Sequence, residues 1–97
     1  MIRTLAFALA KALLNFARDK CVKAALPKVF ARLDVELPYQ FKYKQQPPTP
    51  SLVKGLIASA VSDAIGEPAE PVQTELVRLL YDPVQAAANL IKLRSRP

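Results

Sequence analysis

The ten residues Val35–Lys44, VELPYQFKYK, alternate strictly. Val35, Leu37, Tyr39, Phe41 and Tyr43 are apolar, and Glu36, Pro38, Gln40, Lys42 and Lys44 are polar or proline. An apolar period of two is the pattern of a half-buried strand, which at this length extends about 33 Å. Pro38 cannot donate a ladder hydrogen bond, so such a strand lies at an edge. No other segment of the chain alternates, so its backbone partners have to come from another chain, from a second copy, or from water. Burying these apolar side chains is worth on the order of 10 kcal/mol as an upper figure, enough to dock an extended arm without any pairing. The stretch is therefore read as an extended arm, with Val35, Leu37, Tyr39, Phe41 and Tyr43 as a partner interface.

Upstream the spacing turns helical. From Ile2 to Leu26 there is neither glycine nor proline, and the Ala- and Leu-rich composition favours helix. Leu5, Leu9, Leu13 and Phe16 fall on one side, and Lys11, Arg18 and Lys23 on the other. The first set is a membrane-facing or helix-packing face, and the second faces an anion. Lys11 and the run Arg18-Asp19-Lys20 interrupt the apolar stretch, so it is not a transmembrane span. Residues 1–33 carry seven basic side chains and one acid, as mitochondrial import signals do. However, the first serine is Ser51, and transit peptides are serine-rich. The segment is read as an uncleaved amphipathic helix that doubles as an address; a plain core helix accounts for the pattern equally well. Pro27 is expected to end or kink it.

Beyond Val35–Lys44, Gln45–Pro50 (QQPPTP) reads as a stiff polar linker favouring polyproline II. Thr49 as N-cap and Pro50 in the first turn start a helix. Its stripe is Leu52/Val53, Leu56/Ile57, Ala60/Val61 and Ala64/Ile65, and Gly66 stops it. A second helix reaches Tyr81 with Val72, Leu76, Leu79 and Leu80 inward. The sequence Asp82-Pro83-Val84-Gln85 has the form of a capping box, which predicts a third helix over Val84, Ala87, Ala88 and Ile91. The fold expected is thus mainly α. A long N-terminal amphipathic helix (1–34) is followed by an extended or edge-strand arm with a proline-rich linker (35–50). A helical hairpin or three-helix unit (51–97) completes a single small domain.

Charge and composition narrow the function. Residues 1–48 hold nine Lys/Arg and three Asp/Glu, whereas residues 49–97 hold five of each. A local basic excess calls for an anionic neighbour. With 52% hydrophobic residues and a mean hydropathy of +0.13, the chain is apolar for its size, which points to surface covered by a partner or a membrane. One cysteine and no histidine leave no structural zinc set and none of the common base or nucleophile pairings. Gly55 and Gly66 both sit in helical context and make no phosphate loop. No metal, cofactor or small-molecule substrate is expected, and the chain reads as a non-enzyme. Tyr39, Phe41 and Tyr43 interleaved with Lys42 and Lys44 resemble a nucleic-acid stacking platform. A lone strand with no sheet offers no such platform, and nucleic acid is disfavoured as a partner.

These features point to a non-catalytic structural or accessory subunit of a large multi-protein assembly. The setting expected is a membrane-associated complex of the mitochondrion, at the inner membrane, and otherwise an intracellular one. Its partners are other protein subunits and an anionic lipid surface. The alternatives are a peripheral membrane protein acting through the N-terminal helix, an RNA-binding or ribosomal component, and a virion structural protein.

Overall fold

The computed structural model describes residues 7, 10, 11, 14, 15, 20–66 and 70–94. The described residues are mainly helical, with no strand among them. Helix α1 spans Lys20–Pro38 and runs directly into a π-helical turn, Tyr39–Tyr43; α2 spans Pro50–Ile65 and α3 spans Glu70–Arg94. Phe7, Ala10, Lys11, Leu14 and Asn15 are also helical. The face expected from Leu5, Leu9, Leu13 and Phe16, and the expected anion-facing Arg18, lie outside the described residues.

Val35–Lys44 is not an extended arm. Val35–Pro38 is the last turn of α1, and Tyr39–Tyr43 continues it as a wider turn in which the Lys44 N–H donates to the Tyr39 carbonyl at 3.0 Å. The physical reason is that alternation over ten residues fits a helix as well as a strand. Two residues advance a helix by about 200°, so alternate positions fall on two opposite faces. Leu37 and Phe41 are fully buried and extend the inward row of Leu26, Val29, Phe30 and Leu33 at helical spacing. A helix also satisfies its own backbone, which a lone strand cannot do. In the wider turn each residue advances by less than in an α-helix. Phe41 is thereby carried less far around and stays against the core.

Pro27, expected to end or kink its helix, and Pro83, expected to open a new one, both lie inside helices. Pro27 sits within α1 on its exposed side, one turn after Lys23, which is exposed as well, so the carbonyl that receives no N–H from the proline lies at the solvent side of the helix. Asp82 and Pro83 do not start a third helix, because α3 passes through Pro83 without a break. The buried row Leu76, Leu80, Val84, Ala87 keeps its phase across the proline. Burial of Leu80 and Val84 is worth about 1.5–3 kcal/mol each, which together offsets the roughly 3 kcal/mol cost of an interior proline. The C-terminal part is accordingly a two-helix hairpin.

Helix α2 is bounded as its sequence predicts. The Thr49 hydroxyl accepts from the Leu52 N–H at 3.3 Å and Pro50 occupies the first turn. At the other end Gly66 takes φ 86° and donates its N–H to the Ser62 carbonyl at 2.8 Å. A positive φ of this kind suits glycine, which has no Cβ to clash. The inward sides of α1, α2 and α3 and the π-turn meet in one core, filled by Phe30, Phe41, Leu26, Leu33, Ile57 and Leu76 among others.

Polar contacts at the edges hold the register. Arg32 bridges to Glu36 at 3.4 Å within α1 and to Asp63 of α2 at 3.3 Å. Gln73 donates to the Ser62 hydroxyl at 3.2 Å, joining α3 to α2. The segment between the π-turn and α2 is fastened along its length. Gln45 adopts a left-handed conformation (φ 58°), and the Gln46 N–H reaches back to the Gln40 carbonyl at 2.9 Å. From α3, the Lys92 ammonium donates to the Gln45 carbonyl at 2.8 Å and the Gln85 amide to the Pro48 carbonyl at 2.8 Å. The Thr49 N–H closes a tight turn onto the Pro47 carbonyl at 2.8 Å, so the stretch folds onto α3 and is not a straight polyproline spacer. Gln85, expected in a capping box, is thus a clamp on this connection.

Candidate interaction surface

Helix α1 and its π-turn carry two apolar faces. On the inner one lie Leu33, Leu37 and Phe41 with no exposed surface. On the outer one lie Val35 (68% exposed), Tyr39 (47%) and Tyr43 (73%), again four residues apart and so neighbours on a helix. Exposed apolar side chains scattered singly are ordinary on a protein surface; three in a row at helical spacing form a patch. The expected interface of five alternating residues thus divides. Val35, Tyr39 and Tyr43 face solvent, while Leu37 and Phe41 belong to the core and are unavailable to a partner.

The outer face carries lysines and no exposed acid, and Asp34 and Glu36 on either side of Val35 are half-buried. At helical spacing it presents Ala24, Lys28, Ala31, Val35, Tyr39 and Lys42, all exposed and none acidic. The Lys42 ammonium stands 5.8 Å from the Tyr43 ring centre and the Lys44 ammonium 5.3 Å from that of Tyr39. Each pair is a cation held over an aromatic face. Glu36 and Asp63, on the flank towards α2, are engaged by Arg32. Of the residues expected to face an anion, Lys11 and Lys23 are both exposed. Sequence reasoning missed the pairing of Lys42 and Lys44 with the tyrosines, and missed Lys28. The signal was present in the four-residue spacing of Val35, Tyr39 and Tyr43.

Other surfaces are less built. Phe7 and Leu14 are exposed in the N-terminal segment, and Leu93 near the end of α3. An open groove of about 540 Å³ between α2 and α3 is lined by Lys54, Thr74, Val77, Arg78, Tyr81 and Asp82. Its cations are already engaged, Lys54 over the Tyr81 ring at 5.0 Å and Arg78 in a bidentate pair with Glu75. The hydrogen bond from Arg78 and its charge hold the Glu75 carboxyl below its ordinary value. Among the described residues no group of three or more His, Cys, Asp or Glu side chains is placed to hold a metal ion. None of the described helices is long and apolar enough to cross a membrane.

No protein-family model, curated protein or solved structure matches the chain.

Proposed function

We propose that this chain is a non-catalytic accessory subunit of a membrane-associated assembly, docking through the outer face of α1 and its π-turn. The observation that carries the reading is the row Val35, Tyr39, Tyr43. Three large side chains stay in solvent on a helix whose opposite face is already saturated by the core. A helix apolar on two opposite sides is suited to standing between a core and a second surface of the assembly or its membrane. The apolar composition supports the same reading, and the basic, presequence-like N-terminal region favours the mitochondrion as its setting.

The test is native gel electrophoresis of a mild-detergent extract from cells carrying the tagged chain. The chain should migrate within a much larger species, and Val35→Ser/Tyr39→Ser/Tyr43→Ser should release it as a free, folded protein. A chain that runs free and unfolds cooperatively on its own, with or without these substitutions, contradicts the proposal.

A further inference from the structure

We infer that the outer face of α1 rests on an anionic lipid surface, with its lysines at the headgroup phosphates and Tyr39 and Tyr43 at headgroup level. This deepens the membrane-associated part of the proposed function and rests on that part alone. The ground is charge complementarity along one continuous face. Lys20, Lys28, Lys42 and Lys44 are exposed along α1 and its π-turn, interspersed with Ala24, Ala31, Val35 and the two tyrosines. A 19-residue helix is about 28 Å long, so the charges are spread out and not gathered at a point. A bilayer presents negative charge over a plane of that extent, and each lysine close to it adds attraction.

The apolar side chains fit the same surface. Tyrosine is an interfacial residue, with an apolar ring and a polar tip that stays wet. Lysine stems lie along apolar surface while the ammonium reaches the phosphates. The ammonium groups of Lys42 and Lys44 already stand over the rings of Tyr43 and Tyr39. Ring and charge are therefore presented together at the end of the helix. A second copy of the chain does not fit here, because an isologous contact would bring two rows of lysines face to face.

The experiment is co-sedimentation of the full chain with phosphatidylcholine vesicles, with and without phosphatidylserine. Binding is expected only with phosphatidylserine present. It should fall as salt rises from about 0.1 to about 1 M, where the screening length shrinks from about 10 to about 3 Å. At roughly fivefold per lysine, Lys28→Gln/Lys42→Gln/Lys44→Gln should weaken partitioning on the order of a hundredfold. Val35→Ser/Tyr39→Ser/Tyr43→Ser should weaken it by about tenfold. All six side chains are exposed, so both variants should keep the parent's circular dichroism and urea midpoint. No binding, equal binding to neutral vesicles, or undiminished binding by both variants would overturn the inference. If the serine substitutions free the chain from its native assembly but no vesicle is bound, the face docks on protein and only the lipid assignment falls. If vesicle binding follows the expected pattern while the chain runs free in native extracts, the lipid assignment stands and the subunit reading fails.

Discussion

Phe41 is fully buried while Tyr39, two residues earlier in the same π-helical turn, keeps 47% of its surface in solvent. The pair defines the two faces of the segment and separates core from solvent within a single turn.

Phe41→Ala should therefore cost about 3–5 kcal/mol, the range for emptying an aromatic site in a packed core. Tyr39→Ser should change stability by no more than about 0.5 kcal/mol. Urea denaturation of both variants checks the contrast. Equal effects would mean that the two rings share an environment, as they would in an extended arm.

Pro83→Ala should stabilise the protein by about 1–2 kcal/mol. An alanine restores the N–H that the Leu79 carbonyl lacks and removes the ring clash, while the unfolded chain regains some freedom. A proline that opened a separate helix would show no gain, because the first helical turn needs no such donor. Thermal and urea midpoints distinguish the two.

Gln85→Ala should cost about 1 kcal/mol and loosen the Pro47–Thr49 connection without disturbing α2 or α3. Its amide is the contact that holds the Pro48 carbonyl. Hydrogen exchange should show faster exchange at the Gln46 and Thr49 amides, with the α2 interior amides unchanged. Lys92→Ala, which removes the cap on the Gln45 carbonyl, should act on the Gln46 amide in the same direction.

The Glu75–Arg78 pair sets a small pH dependence of known sign. Because the folded-state carboxyl lies below its ordinary value of 4.5, its contribution is present above that pH. It is lost as pH falls through the depressed folded value. The pair is exposed, so Glu75→Gln should leave the neutral-pH midpoint nearly unchanged. Its effect relative to the parent should vanish in acid. A difference that grows below pH 4.5 would have the wrong sign.

Much of this fold is legible in the sequence where burial and spacing agree. The stripe from Val53 to Val61 predicts the buried side of α2, and Thr49 and Gly66 mark its ends. Val84, Ala87 and Ala88 lie inward as their spacing requires. The misreadings share a cause. Pro83 signals a break when taken alone, yet it lies inside a helix whose buried row carries the chain past it, and Pro27, expected to end or kink its helix, does not end it. Val35–Lys44 misleads because alternation over ten residues is compatible with two opposite helical faces. What decides between strand and helix is the register of Leu33, Leu37 and Phe41 with the core, a tertiary fact. The two faces are half legible for the same reason: the alternation marks all five side chains as apolar positions, but not that Val35, Tyr39 and Tyr43 face solvent while Leu37 and Phe41 face the core.

The most direct test of the outer face uses the chain's three tyrosines. Tyrosine-directed labelling, read residue by residue by mass spectrometry, should be carried out on the purified chain and on native membranes containing it. Tyr39 and Tyr43 should label readily in the free chain and be strongly protected in the membranes. Tyr81, half-buried beneath Lys54, should label equally in both. Equal labelling of Tyr39 and Tyr43 in the two preparations would contradict a docked outer face.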